Sequence, residues 1–141
     1  MKITGIATLD HAPHDVNAWL TDVCTALGWQ EKGRVYLLLR TVLHAVRDWL
    51  TVDEAAQLAA QLPILMRGIY YEGWNPSDTP VHPRNKSDFV ARIAHPFARE
   101  PLDDTEAAIS AVLGVFENHV SSGENEQAKH AMRASVRALW P

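Results

Sequence analysis

The chain has 141 residues, 47% of them apolar and 21% charged, with a net charge of −4. That length suits one ordinary domain, or two small ones sharing a core, able to fold without staples, and the single cysteine, Cys24, excludes an internal disulfide. The 13 Lys and Arg are scattered rather than gathered in a basic stripe, which argues against a nucleic-acid partner; no apolar run is long enough for a signal peptide or a membrane span, so a cytoplasmic protein with no membrane partner is expected.

Residues 1–12 are weakly patterned and read as an N-terminal arm. From Pro13 the spacing predicts a helix, with Val16, Trp19, Leu20, Val23 and Leu27 on one face, Pro13 in its first turn and Gly28 as its stop. A second helix is predicted from about Lys32 to Leu50. Val35, Leu38, Leu39, Val42, Val46, Trp49 and Leu50 form its apolar face, and Arg40, His44, Arg47 and Asp48 lie towards the other side. Thr51 and Glu54 form a capping box that opens a third helix carrying Ala55, Leu58, Ala59 and Leu62. Pro63 kinks that helix or starts a fourth. Ile64, Leu65, Ile69 and Tyr70 continue the apolar pattern, and Gly73 is a stop.

Pro76, Pro80 and Pro83 predict an extended connector. Beyond it, Ser87 or Asp88 is expected to cap a helix carrying Phe89, Val90 and Ile93, interrupted at Pro96 and Pro101. Asp103 or Asp104 caps the next, whose face is Ile109, Val112, Leu113, Phe116 and Val120. Ser121 and Glu124 offer a second capping box before a last helix with Ala128, Met132, Val136 and Leu139.

Laying each residue on the one 70 positions further along puts Trp19 on Phe89, Val23 on Ile93, Val42-Leu43 on Val112-Leu113, Leu50 on Val120, and Thr51 and Glu54 on Ser121 and Glu124. Amphipathic helices can be slid into phase in pairs. Several helices and a cap staying in phase at one offset point instead to a duplication. The expected fold is all-α: two tandem pseudo-repeats of about four helices each in one compact domain. The first repeat is 13–73, the connector 74–86 and the second repeat 87–141.

The segment "RTVLHAVRDWLTVDEAAQLAAQLPILMRGIYYEGWNP" closely resembles the hallmark stretch of the bacterial domain-of-unknown-function 2267 family, and the resemblance runs from Val16 to Pro141. It implies an all-helical fold with two related halves and a bacterial source, and it implies no chemistry. Where the family often has Leu-Pro in its second half, this chain has Met132-Arg133, which implies a straighter last helix.

No catalytic or metal motif is complete. His11 and His14 are three apart with Pro13 between them; His44, His119 and His130 lack ligand partners at metal spacing, and no HExxH occurs. Asp53-Glu54 and Asp103-Asp104 sit where capping carboxylates belong, Cys24 has apolar neighbours, and the glycines are isolated. No cofactor is implied. The strongest cluster is Arg67, Tyr70, Tyr71 and Trp74, which share one side of a helix and combine residues enriched at interfaces. Packing at the junction of the two repeats explains them structurally. As a functional patch they point to a protein-interaction module without catalysis that binds an unknown partner. A homo-oligomeric structural protein, built through surplus apolar surface such as Trp29, Trp49 or the Leu139-Trp140 end, is a further expectation. The alternative expectation is a small-ligand binder or enzyme with its site in the cleft between the repeats.

Overall fold

A computed structural model of the chain describes residues 2–81, 85–120 and 137–141. Among these the protein is all-helical and compact, with six α-helices and no strand: α1 (Ala7–Leu27), α2 (Lys32–Trp49), α3 (Val52–Ala59), α4 (Ile64–Tyr71), α5 (Lys86–Ala94) and α6 (Thr105–His119). Short 3₁₀ turns follow α4 at Pro76–Asp78 and α5 at His95–Phe97.

The first helix begins six residues before Pro13, so half of the expected arm is helical. Asp10 is the cause. Its carboxylate accepts from the amides of Ile3, Thr4 and Gly5 and from the Thr4 hydroxyl, at 2.8–3.2 Å. This clip satisfies donors ahead of the first turn and places a negative charge near the positive helix end. Pro13 then sits inside α1, where its missing amide leaves the Leu9 carbonyl without a helical donor. The segment before Ala12 lies outside the core, so that loss falls where solvent can replace the donor. Gly28 ends the helix as expected, at φ 71°.

Helix α2 is the spine. It packs against α1, α4, α5 and α6, and it buries Val35, Leu38, Leu39, Val42, Leu43, Ala45, Val46 and Trp49. Arg47 departs from the expected polar side: it is only 4% exposed. A helix surrounded by four others has no free polar face at that position, and the guanidinium is buried because it finds acceptors there. Two edge-to-face ring pairs tie the core together, Trp19 with Phe116 at 5.2 Å and Trp49 with Phe89 at 5.3 Å. Each such pair contributes about 0.5–1.5 kcal/mol beyond the area it buries.

The capping box of α3 forms in full, Thr51 accepting from the Glu54 amide and Glu54 from the Thr51 amide. Helix α3 ends at Ala59 and Pro63 precedes α4, so the proline starts a fourth helix rather than kinking the third. Helix α5 begins two or three residues earlier than expected. Asn85, not Ser87 or Asp88, caps it by accepting from the Asp88 amide. Asp104 caps α6 through the Ala107 amide. The second capping box, most of the last helix and the Met132-Arg133 departure lie outside the described residues. Leu139 and Trp140 are buried beside α6, and Ser110 donates to the Leu139 carbonyl at 2.6 Å.

Candidate functional site

The four residues of the expected patch do not form one surface. Tyr70 is fully buried, and its hydroxyl donates to the Ala55 carbonyl at 2.9 Å. Burial pushes its phenol well above the ordinary range. Tyr70 is therefore a core residue that joins α4 to α3. Arg67 turns back the other way and donates to the Ala59 and Leu62 carbonyls at 3.0 and 3.1 Å. Those carbonyls lie at the open end of α3, so Arg67 is its C-terminal cap.

Tyr71 and Trp74 do stay together. Their rings stack at 5.2 Å and 29°, half-buried against the core. Gly73, at φ 73°, makes the turn that brings Trp74 back, and the Trp74 amide donates to the Tyr71 carbonyl at 3.0 Å. The Trp74 indole nitrogen has no hydrogen-bond acceptor among the described residues.

Behind this stack lies a polar brace. The Arg47 Nη1 donates to the Tyr70 and Glu72 carbonyls, both at 2.8 Å, and its Nε and Nη2 hold Asp48. Arg92 of α5 reaches the same carboxylate at 2.6 Å and lies over the Trp49 ring. Burial raises the Asp48 carboxyl, but hydrogen bonds from Arg47 and Arg92 outweigh it and hold the group below its ordinary range. His44 donates Nε2–H to the Ile69 carbonyl at 2.7 Å. Its burial first, and then the arginines around it, depress its pKa. At the surface, Arg40 bonds Glu72 and lowers that carboxyl. The end of α4 is thus fixed to α2 by three side chains, Arg40, His44 and Arg47, which the spacing places away from the apolar face of α2.

Fixing one side of α4 defines the other. Only Met66 and Tyr70 of this helix are buried. Ile64 is 57% exposed and Leu65 43%, although the apolar pattern assigned both to the core. They lie one turn before Gly68, which is also exposed, and two turns before half-exposed Tyr71. A Cβ at Gly68 would meet nothing within 4 Å. The outward face of α4 is therefore apolar, with a notch at its centre and the Tyr71–Trp74 stack at one end. In an eight-residue helix, Met66 and Tyr70, four apart, share one edge, and Ile64, Leu65, Gly68 and Tyr71 fall off it; that grouping is legible in the sequence, whereas which edge is buried is decided by packing on α2.

Three further histidines have partners within reach. His11 lies 3.6 Å from Asp15, and its ring centroid is 5.4 Å from that of His14. His119 bonds Asp22 at 2.6 Å while stacking on Trp19. Among the described residues no three His, Cys, Asp or Glu side chains group as metal ligands. None of the described helices is long and apolar enough to cross a membrane.

Comparison with curated proteins finds no match. The model of the family described as an uncharacterized conserved protein (DUF2267) matches residues 16–139, nearly the whole helical body, and the chain belongs to that family.

Proposed function

We propose that this protein is a non-catalytic helical interaction module that works in the cytoplasm and docks a protein partner on the outward face of α4. The observation that carries this reading is the exposure of Ile64 and Leu65 beside the half-exposed Tyr71–Trp74 stack. Large apolar side chains grouped on one helix face, next to stacked aromatic rings, have the composition of an interface core. The Arg40–Glu72 pair supplies a polar rim beside them.

We further read the body as a duplicated unit. Residues 70 apart occupy like environments: Trp19 and Phe89, Val23 and Ile93, and Val42-Leu43 and Val112-Leu113 are all buried. Contacts also recur in exchanged form. Trp49 meets Phe89 as His119 meets Trp19, and Arg92 meets Trp49 as Asp22 meets His119. The carbonyl of Ile69 is held by α2 and that of Leu139, its counterpart, by α6. Such exchange is what a pseudo-twofold arrangement produces, and it supports the reading that α4 ends the first unit.

The test is retention of proteins from native extract on the immobilised chain, with Tyr71→Ala and Leu65→Glu as comparisons and light scattering for self-association. A partner held by the parent and lost from both folded variants supports the reading. Equal recovery by all three overturns this face as the interface.

A further inference from the structure

Away from α4, the corner between α1 and α2 faces the start of α6 across a cavity of about 270 Å³. Leu27, Trp29, Leu102 and Ala108 supply apolar walls; Arg34 lines the same space, as do Asp103 and Asp104. We propose that this cavity binds a free α-amino acid with an aliphatic or aromatic side chain, held as its zwitterion. This goes beyond the docking face on α4 and does not depend on it.

Charge complementarity selects the ligand class. A simple cation would meet Arg34, and a simple anion would meet two carboxylates. Only a small molecule carrying both signs satisfies the two sides together, and the apolar walls ask for a hydrocarbon group between them. Size selects within that class. Pockets for drug-sized ligands run from about 300 to 1,000 Å³, so this space lies just below their range and suits an amino acid better than a nucleotide.

Arg34 is already ordered for the task. Its Nη2 donates to the Glu100 carbonyl at 2.8 Å, and its guanidinium lies 5.1 Å from the ring centres of both Trp29 and Phe97. The nearest carboxylate to Nη1 is that of Glu100, at 3.6 Å and 79% exposed. That loose surface pair contributes little and yields readily to a bound carboxylate with fork geometry. Because Arg34 is held by backbone carbonyls and aromatic faces, little side-chain entropy is lost on binding. Asp104, which lines the same cavity, uses Oδ1 for the Ala107 amide, leaving Oδ2 and the exposed Asp103 to receive an ammonium group. Trp29 and Leu27 line the same space and give the hydrocarbon group apolar surface.

Calorimetric titration of the full chain with leucine and phenylalanine tests this, alongside 2-phenylethylamine and 3-phenylpropionate, which each lack one charge. Saturable binding of the amino acids is expected, with both single-charge analogues weaker by at least about tenfold. Ala107→Leu fills the cavity from an exposed position and should weaken binding by at least about tenfold with the melting temperature unchanged. Asp103→Asn should weaken the amino acids and leave 3-phenylpropionate unaffected or improved. No heat from either amino acid, an analogue binding as tightly as its zwitterion, or full binding by Ala107→Leu would each overturn the assignment.

Discussion

Replacing Arg47 by methionine keeps the length of an apolar stem and removes the guanidinium. The side chain is 4% exposed and makes four hydrogen bonds, two to the Tyr70 and Glu72 carbonyls and two to Asp48. Breaking a buried charge pair by removing one partner costs about 3–5 kcal/mol, mostly for the charge left behind. Here Asp48 keeps Arg92 at 2.6 Å and is 13% exposed, so its charge is not stranded. The two carbonyls lose their donor at a cost of about 1 kcal/mol each. Asp48 also loses its two hydrogen bonds from Arg47, which adds about 1 kcal/mol, so the expected total is about 3 kcal/mol, near the lower end of that range. For a chain of this size that corresponds to about 10 °C in melting temperature. Urea unfolding followed by the fluorescence of the five tryptophans, with circular dichroism as a second probe, measures it. Arg40→Met is the internal comparison, because the Arg40–Glu72 pair is exposed and such pairs contribute about 0–1 kcal/mol. If Arg47→Met cost no more than Arg40→Met, Arg47 would not be a buried brace, and the fixed inner side of α4 would lose its basis.

Gly68→Ala should stabilise the protein by about 0.5–1 kcal/mol, since the glycine is exposed inside a helix and an added Cβ meets nothing within 4 Å; a loss in the same urea titration would refute the open notch. His44 gives a pH dependence. Its folded pKa is depressed below 6.5, chiefly by burial. Below that value the unfolded chain takes up a proton that the folded chain refuses, so stability should fall as pH drops from about 7.5 to 5.5. His44→Gln should flatten that part of the profile, and an identical slope in parent and variant would contradict the buried neutral imidazole.

The helices themselves were legible because their caps and stops are local. Thr51 with Glu54, Asp104, Gly28 and Pro63 act within a turn of where they stand, and the expected third, fourth and sixth helices begin where those residues place them. The start of α1 was not legible, since it depends on Asp10 gathering donors from a loop that periodicity does not describe. The cap of α5 was missed because Asn85 is one of several polar residues in a row, and which one caps is decided by the connector's path. The larger misreading concerned burial. Arg47 and Tyr70 belong to one brace, while Ile64 and Leu65 lie outside the core, yet a helical repeat marks only which residues share a face. Which face meets a neighbour depends on α4 folding back on α2, a contact between segments more than twenty residues apart. Of the four residues in the expected patch, Tyr71 and Trp74 are half-exposed, while Arg67 and Tyr70 serve the fold; the exposure of Ile64 and Leu65 beside them is not written in the repeat.

The proposed docking on α4 can be interrogated directly by placing a photoreactive amino acid at Leu65 and irradiating cells of the source organism. Tyr36, 38% exposed on α2, carries the same probe as the comparison. A discrete protein adduct formed from position 65, absent from position 36 and lost when Tyr71→Ala is added, is the predicted result. Adducts of equal yield from both positions, or none from position 65 in a folded protein, would contradict the claim that the outward face of α4 receives a partner.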